Sequence, residues 1–301
     1  MQNRAAGDVM RMFRLGELDA RALVDAKDGQ RVSVCLPARN EEATVGPIVQ
    51  AIRRDLVDQL GLVDEVVVVD DHSSDATAAI AASAGARVID ASRVLREYGQ
   101  GHGKGEALWK SLYEANGDLI VWCDADIRDF DSRFIVGLVG PLLVQPELQF
   151  VKGYYERPMH GPIGGGRVTE LVARPLLSMF FPELASVVQP LAGEYAIRRS
   201  LAERLAFIVG YGVDIGVLID TFRMCGVGAL AQVDLGVRQH RNRSLDQLGP
   251  QALAVIQAVL DRAGVSSSAA ATLLRPGMAP VTVTVAERRP LLEVRGYRAS
   301  A

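Results

Sequence analysis

The sequence contains little cysteine and no long apolar run. Its three cysteines are widely spaced and form no Cys-x-x-Cys pair, so we expect neither a disulfide framework nor a cysteine zinc site, and a reducing cytoplasm fits. The most apolar segment, residues 134–144, contains a proline and is too short for a membrane helix, which needs about 20 residues. Residues 1–23 lack the continuous apolar core of a secretory signal. The sequence therefore predicts a cytoplasmic protein that does not span a membrane.

An excess of charge of one sign is also missing. The 33 lysines and arginines nearly balance the 36 aspartates and glutamates, and the net charge of −3 argues against a protein whose main task is to coat nucleic acid. Hydrophobic residues make up 49% of the chain and charged residues 23%, which is the usual balance of a folded domain rather than of a disordered chain. With 301 residues, the chain is long enough for one large α/β domain or two modest ones.

Apolar runs alternate with helical patterns in residues 31–128. Continuous runs such as VDEVVVVDD are typical of strands that helices cover on both faces. The predicted strands are 32–37, 63–71, 86–90 and 118–124. This repeated alternation predicts an α/β fold with a mostly parallel central sheet flanked by helices. Ligands of such sheets bind beyond the carboxyl ends of the strands, so the polar residues that follow these runs are candidates for a site.

The rest of the chain is less regular. A charged, helix-compatible pattern over residues 8–28 predicts a helix on the outside of the sheet. In the second half, strands are predicted at 148–155 and 229–240, and helices from about Val168, at 212–226 and at 244–264. The tail VTVTVAERRPLLEV, residues 281–294, is interpreted as an extended arm that packs either on the body of the chain or on a partner subunit.

Two carboxylates end the fourth predicted strand, in the stretch DLIVWCDAD. Asp124 and Asp126 are two residues apart, so they point to the same side if the strand continues. They are either solvated acids at a strand end or ligands of a divalent cation, which prefers carboxylate oxygens and keeps positions open for substrate phosphates. A second pair, Asp70 and Asp71, gives some similarity to a receiver domain. The strand–helix unit that precedes this pair, and the long segment after Asp126, argue against that fold.

A glycine-rich stretch, GQGHGKGEA at residues 99–107, offers a loop for an anion. It is not a Walker A loop, because Tyr98 stands where a glycine is required and Gly105 where a serine or threonine is required. Lys104, at the beginning of the following helix, can still contact an anion through its own charge and the helix dipole.

A second glycine-rich stretch, GGGRVTE, covers residues 164–170. Its glycines let the backbone approach a ligand, Arg167 offers a two-pronged contact, and Thr169 begins a helix with free N–H groups. This pattern indicates a phosphate or carboxylate site, with a flexible loop and a structural arginine as the alternative.

The basic stretch RQHRNR, residues 238–243, follows an apolar strand. A nucleic-acid patch is one interpretation, but no aromatic side chains are interleaved with the basic ones. Alternatively, His240 completes the coordination of a metal ion held by the acid pair, and Arg238 and Arg243 hold an anionic substrate.

The order of these motifs resembles the nucleotide-sugar glycosyltransferases of the GT-A fold. PARNEE follows the first strand, VVVVDDHSSDAT includes the second, and DAD ends the fourth. More narrowly, GKGEALWKSL, GGGRVTELVARPLL, QPLAGEYA, GYGVDIGVLIDT and LGVRQHRNRSLDQLG are similar to the glucosyl-3-phosphoglycerate synthases, over residues 12–262. The resemblance implies a retaining, metal-dependent homodimeric enzyme that moves glucose from UDP-glucose to the 2-hydroxyl of 3-phosphoglycerate.

The resemblance also implies roles for particular residues. Those that would hold Mg²⁺ or Mn²⁺ are Asp124, Asp126 and His240. Those that would bind the nucleotide sugar are Pro37, Ala38, Arg39, Glu41, Asp71, Lys104, Asp124 and Ala125. Those that would bind the acceptor are Gly166, Arg167, Val168, Thr169, Arg238, Asn242 and Arg243. Those at the reacting sugar would be Asp126, Leu191 through its carbonyl, Tyr211 and Asp214.

On the same basis we predict four parts of the chain. They are an N-terminal helical extension (1–30), a nucleotide-sugar-binding half (31–128), an acceptor-binding half (129–265) and a C-terminal tail (266–301) that could pack on a partner subunit.

Several residues depart from the pattern of the family. Asp214 stands where the family has glutamate, Arg39 where it commonly has leucine, and Asp71-His72 where it has Ser-Gly. On the resemblance, these positions lie around the nucleotide base and the sugar. The alternative is therefore an enzyme of the same fold with a different substrate. Its donor would be GDP-mannose or another sugar nucleotide, or its acceptor would be a different small phosphorylated or carboxylate molecule. The alternative outside the enzymes is a non-catalytic sugar-nucleotide sensor. The intact metal-site residues argue against it.

Overall fold

The described part of the chain forms one large sheet and two small ones. The structure, a computed structural model, describes residues 9–156, 166–238, 244–265 and 270–297. Within these residues the strands are β1 (Arg11–Arg14), β2 (Val32–Ala38), β3 (Glu65–Asp70), β4 (Arg87–Asp90), β5 (Leu119–Trp122), β6 (Phe150–Glu156), β7 (Tyr195–Arg198), β8 (Phe207–Ile208), β9 (Leu230–Val237), β10 (Ala270–Leu273), β11 (Val281–Thr284) and β12 (Glu287–Arg288).

The large sheet has eight strands in the order β1-β9-β6-β7-β5-β2-β3-β4. Every neighbouring pair is parallel except the two that involve β7, which runs antiparallel to β5 and to β6. Helices connect the parallel strands because a parallel pair cannot be joined by a tight turn. The predicted mostly parallel sheet is therefore confirmed.

Helices lie on both faces of this sheet. The α-helices of the described residues are α1 (Ala20–Ala26), α2 (Val45–Ile52), α3 (Thr77–Ser83), α4 (Lys104–Glu114), α5 (Arg133–Val144), α6 (Arg174–Phe180), α7 (Arg199–Ala202), α8 (Val213–Cys225) and α9 (Leu245–Arg262). A π-helical segment continues α2 over Arg53–Gln59, and another precedes α6 at Thr169–Ala173.

Two hydrophobic cores form because alternate strand residues point to opposite faces. Val34 and Leu36 of β2 belong to one core, with residues of α2 and α5, whereas Cys35 belongs to the other, with residues of α4. The apolar segment 134–144 forms most of α5, and its large side chains up to Leu143 lie in the first core, whereas Val144 is exposed. Among the described residues, we find no helix with the length and apolarity needed to cross a bilayer.

Two strands of the large sheet differ from the sequence predictions. The charged pattern of residues 8–28 predicts a helix, whereas Arg11–Arg14 form β1, which pairs in parallel with β9 at the edge of the sheet. Only Phe13 of β1 is buried, so this short strand shows no alternation that marks it in the sequence. The sequence patterns do not indicate β7 at all. It is also only four residues long, and it leads directly into α7.

The described part of the tail packs on the body of the same chain. β12 pairs with β8, and Leu291 is fully buried in the core that contains α4. Nε1 of Trp109 donates to the carbonyl of Arg289 at 2.9 Å, and Nε of Arg288 donates to Oε2 of Glu106 at 2.5 Å. The two alternatives for the tail were packing on the body of the chain and packing on a partner subunit. These residues pack on the body of the chain.

Candidate active site

The carboxyl ends of β2, β3 and β5 meet at one edge of the large sheet. β2 pairs with β3 on one side and with β5 on the other. Backbone hydrogen bonds between the chain segments continue just past the ends of these strands. The N–H of Asp71 donates to the carbonyl of Ala38 at 2.8 Å, and the N–H of Cys123 donates to the carbonyl of Cys35 at 3.2 Å. Asp71, Ala38 and residues 124–126 therefore lie at the edge where the strand pattern predicts a site.

Lys104 joins Asp124 to the second half of the chain. Its Nζ lies 2.8 Å from Oδ1 of Asp124 and 3.2 Å from Oδ2 of Asp214. Lys104 is the first residue of α4, and Asp214 is in the first turn of α8, so two helix ends meet at this ion pair. Burial alone lowers the pKa of Lys104, but the charges of Asp124 and Asp214 outweigh it and raise the pKa well above its usual value. The amine is therefore a permanent cation between two acids.

Arg238 contacts the second acid of the pair. It follows β9, is 3% exposed, donates from Nη2 to Oδ1 of Asp126 at 3.1 Å and donates from Nη1 to Glu194. Its guanidinium lies 4.8 Å from the centre of the Tyr155 ring. Burial raises the pKa of Glu194 although Arg238 opposes the shift, and Oε2 of Glu194 finds no hydrogen-bond partner among the described residues. Arg238 therefore lies behind Asp126 and pairs with two acids, while the acceptor contact implied by the resemblance stays a prediction.

The acids at this edge are crowded. Burial and the charge of Asp126 raise the pKa of Glu41 to about 6. The Thr44 hydroxyl donates to the carbonyl of Ala125 at 2.6 Å and so fixes the loop after β2 against the acid pair. Crowded carboxylates are the environment that a bound cation stabilises. The side chains of Asp124 and Asp126 are 31% and 40% exposed, so an ion from solvent can reach both.

Asp71 forms the side of the site nearest β3. Its carboxylate is 7% exposed, and its Oδ2 accepts a hydrogen bond from the N–H of Gly103 at 2.9 Å. Gly103 has a φ of +117°, which residues with a Cβ rarely adopt, and directly precedes Lys104. Pro37 is partly buried and Arg39 is exposed at the end of β2. The glycine stretch at 99–107 thus connects Asp71 to the Lys104 ion pairs.

The loop before β7 reaches the acid pair from the opposite direction. Because β7 is antiparallel to β5, the N-terminal end of β7 lies beside the carboxyl end of β5. A Cβ on Gly193 would overlap Nζ of Lys104 and the carboxylate of Asp124, so the backbone itself packs on this ion pair. Leu191, two residues earlier, is partly buried. The loop therefore contributes backbone to the site.

Lys152 is a buried amine that the sequence analysis missed. It lies on β6 and is 2% exposed, and its Nζ donates to the carbonyl of Ala192 at 2.8 Å. The amine is 4.6 Å from the centre of the Tyr195 ring. Burial lowers the pKa of Lys152 to about 8, with Asp214 opposing the shift. In LQFVKGYY the lysine lies on the same face as Phe150, and it is buried because hydrophobic cores cover both faces of β6.

The remaining candidate site residues lie just before α8, at the beginning of the segment Thr169–Ala173, or outside the described residues. Tyr211 is 52% exposed just before α8. Among the acceptor candidates at the beginning of the helical segment Thr169–Ala173, Thr169 is buried, Arg167 is exposed, and Gly166 and Val168 are partly buried. The candidates outside the described residues are His240, Asn242 and Arg243.

Comparisons with known proteins agree with the resemblance. Residues 33–144 match the family model described as Glycosyl transferase family 2. A glucosyl-3-phosphoglycerate synthase of Petrotoga mobilis is 47% identical over 249 residues, which cover 80% of this chain and 77% of the relative. The enzyme of that name from Mycobacterium tuberculosis is 48% identical over 264 residues, which cover 85% of this chain and 79% of the relative.

Solved structures of the Mycobacterium tuberculosis glucosyl-3-phosphoglycerate synthase agree over nearly the whole chain. Its complex with Mn²⁺, uridine-diphosphate-glucose and phosphoglyceric acid matches with a TM-score of 0.86 and 44% identity, and the match covers 94% of this chain and 98% of that one. Its complex with Mg²⁺ and uridine-diphosphate matches with the same TM-score, identity and coverage. The predicted fold and the family resemblance are therefore confirmed.

Proposed function

Because the chain belongs to the glucosyl-3-phosphoglycerate synthase family, we propose that it transfers glucose from UDP-glucose to the 2-hydroxyl of 3-phospho-D-glycerate, with retention of the anomeric configuration. The observation that carries the proposal is the acid pair Asp124 and Asp126, held by Lys104 and Arg238 at the carboxyl edge of the sheet. The relatives named above, at 47% and 48% identity, support the choice of donor and acceptor.

The residues at this edge fit a hard divalent cation. Their donors are carboxylate oxygens, both acids of the pair are reachable from solvent, and crowding with Asp126 helps to raise the pKa of Glu41. Asp124, Asp126 and His240 would hold Mg²⁺ or Mn²⁺, the ions present in the structures of the relative. When bound, the ion supplies Lewis-acid stabilisation of the diphosphate leaving group.

The protein's own contribution to leaving-group departure is fixed positive charge. Lys104 at the N-terminal end of α4 combines an ammonium group with the partial positive charge of the helix, and both favour a diphosphate. Because Lys104 stays charged between Asp124 and Asp214, it needs no proton uptake to act. The remaining residues that we propose around the nucleotide and its diphosphate are Pro37, Ala38, Arg39, Glu41, Asp71 and Ala125.

The acceptor approaches from the second half of the chain. Gly166, Arg167, Val168, Thr169, Asn242 and Arg243 would bind the phosphate and carboxylate of 3-phosphoglycerate, which converts binding energy into proximity. Tyr211 and Asp214 would face the sugar, and the Leu191 carbonyl would orient the attacking hydroxyl. Arg238 would also bind the acceptor, and we propose for it a second role as a positioning residue for the acid pair, because it pairs with Glu194 and Asp126.

The experiment that tests the function is a transfer assay with 3-phosphoglycerate and either UDP-glucose or GDP-mannose. We expect product with UDP-glucose and Mg²⁺ or Mn²⁺ and none with EDTA. Asp126→Asn should lower turnover at least about 100-fold, because the reaction loses a metal ligand. The matched control is Asp129→Asn, which removes an exposed acid three residues away and should leave turnover unchanged.

Each outcome of this assay identifies the part of the proposal that fails. Transfer from GDP-mannose alone would overturn the donor, and binding of UDP-glucose without turnover under either metal would favour the sugar-nucleotide sensor. Full activity of Asp126→Asn would overturn the metal assignment while leaving the reaction intact.

A homodimer in the cytoplasm completes the proposal. The cytoplasm is supported by Cys35, Cys123 and Cys225, which are all free thiols. Leu171 and Met179 are 75% and 72% exposed on one helical stretch, which supports an apolar contact with a second copy. Light scattering of the purified protein would measure the mass, and a monomer at all concentrations would overturn the dimer.

A further inference from the structure

Two histidines that the proposed reaction does not use converge on Asp71. Nδ1 of His72 lies 3.0 Å from Oδ1 of Asp71, and Nδ1 of His102 lies 3.1 Å from Nδ1 of His72 and 3.9 Å from the same carboxylate oxygen. The three atoms come from the loop after β3 and the glycine stretch before α4, so the fold brings together residues about thirty positions apart in the chain.

The spacing of these atoms is that of metal ligands. Ligands bound tetrahedrally at about 2.1 Å from a zinc ion are separated by about 3.4 Å, and the three distances here bracket that value. Two neutral imidazoles whose Nδ1 atoms face each other need a shared proton or a cation between them, since two lone pairs otherwise repel. The close contact is therefore satisfied either by one proton, in a neutral hydrogen bond between the two rings, or by a bound cation.

The carboxylate is already oriented toward the histidines. The N–H of Gly103 donates to Oδ2 of Asp71 and leaves Oδ1 directed at His72, which is how hydrogen bonds orient ligating carboxylates in metal sites. Asp71 is buried, whereas His72 and His102 are 28% and 55% exposed, so an ion can enter from the histidine side. His72 has a φ of +61°, so its backbone lies in the left-handed region that residues other than glycine seldom adopt.

We propose that Asp71, His72 and His102 form a site for a divalent transition-metal ion of the Zn²⁺ and Co²⁺ class, separate from the site at Asp124 and Asp126. Two imidazole nitrogens and one carboxylate favour these softer ions, whereas the two carboxylates of Asp124 and Asp126, with His240 as the one imidazole, suit Mg²⁺ and Mn²⁺. One consequence rests on the proposed function: because Asp71 also belongs to the proposed nucleotide site, an ion bound here competes with UDP-glucose.

Titration of the substrate-free protein with Co²⁺, followed by the visible absorption of the bound ion, tests the site directly. His102→Asn and His72→Asn should each weaken Co²⁺ binding at least about tenfold, as loss of a ligand does. Asparagine suits both positions, because His102 is exposed and asparagine tolerates the positive φ of residue 72. Asp129→Asn, at an exposed acid, serves as the control that should keep the Co²⁺ spectrum.

Unchanged Co²⁺ binding by His102→Asn and His72→Asn would overturn the site and leave a shared proton as the reason for the contact. For the competition, Zn²⁺ should inhibit glucose transfer at saturating Mg²⁺, and His102→Asn should raise the inhibitory concentration at least about tenfold. Equal inhibition of both proteins would overturn the competition alone. The Co²⁺ titration needs no turnover. It therefore tests the metal site even if the transfer assay shows that the proposed reaction does not occur.

Discussion

At the scale of single residues, Gly193 decides how closely the chain can approach Asp124. Any Cβ there overlaps the ion pair of Lys104 and Asp124, so Gly193→Ala has to displace one of the two side chains. We expect kcat/KM to fall at least about tenfold, because a displacement of about 1 Å in a positioned site has effects of this size or larger. Steady-state kinetics of the transfer reaction measure the change.

Gly210→Ala is the matched control for this substitution. A Cβ on Gly210 has open space around it, although the residue lies directly before Tyr211. Its kinetics should stay close to those of the wild type. Equal losses in both variants would show that any added methyl group near α8 disturbs the enzyme, and that the contact with the ion pair is not special.

Lys152 gives a prediction for the dependence of stability on pH. Burial lowers its pKa from 10.5 to about 8, so between these values the unfolded chain binds more protons than the folded chain. Stability therefore rises with pH over this window, by about 1.4 kcal/mol per pH unit at most. Below pH 8 the buried charge has its full cost.

Lys152→Met removes this titration. The difference in free energy of unfolding between wild type and Lys152→Met, measured with urea, should shift in favour of the wild type by about 3 kcal/mol between pH 8 and 10.5. Taking the difference cancels the other groups that titrate in this range. A difference that stays flat across the window would show that Lys152 has an ordinary pKa.

At the scale of elements, Arg199 closes the C-terminal end of α4. This buried arginine donates to three carbonyls at and beyond the helix end: Nη1 to Leu112 at 2.9 Å, Nη2 to Ala115 at 2.7 Å and Nε to Gly117 at 2.5 Å. The last carbonyls of a helix have no partner within the helix, and a cation is favourable there. Arg199 therefore connects α7 to the helix whose other end holds Lys104.

Arg199→Lys tests this connection while keeping the charge. A single ammonium group cannot reach all three carbonyls, so at least one stays buried without a donor, and we expect a loss of about 3 kcal/mol in the free energy of unfolding. Chemical denaturation measures the loss. Arg204→Lys, an exposed position nearby, should change stability by less than about 0.5 kcal/mol. Similar values for both variants would contradict the role of Arg199.

The sequence predicts some elements and not others, for reasons visible in their burial. β2 and β3 are buried on both faces, and such strands must be continuous apolar runs. β1 has two arginines in four residues and lies at the sheet edge, so its assignment depends on pairing with β9, which no local pattern records. Likewise, Lys152 and Arg199 are of residue types that are usually exposed. They are buried by contacts with residues that are distant in the sequence.

At the scale of the whole molecule, the site combines both predicted halves of the chain. Asp124 and Lys104 belong to residues 31–128, whereas Asp214 and Arg238 belong to residues 129–265. Strand ends and motifs in the sequence predict the first group at one edge of the sheet. The pairing of Arg238 with Glu194 could not be predicted, because the antiparallel β7 brings Glu194 to this edge and no motif indicates that strand. The division into four parts stays a prediction.

The tail gives a prediction on the same scale. A chain that ends at Ala286 loses Arg288, which pairs with the fully buried Glu106, and Leu291, which is fully buried in the same core as Trp109. Loss of a buried ion-pair partner and of a buried leucine should together cost about 4 kcal/mol or more in the free energy of unfolding.

Thermal and urea unfolding of the shortened chain measure this cost. The control is a chain that ends at Tyr297, which keeps every described contact of the tail and should match the full chain. If the chain ending at Ala286 is as stable as the control, the contacts of residues 287–297 do not support the fold.

The pairing of each acid with a cation of the protein has a practical consequence. Asp124 is balanced by Lys104 and Asp126 by Arg238, so the chain carries its own counterions for both acids. We therefore expect scarcity of magnesium or manganese to lower the proposed transfer activity more than it lowers the free energy of unfolding. Activity should then return when the ion is added back, because the chain does not have to refold first.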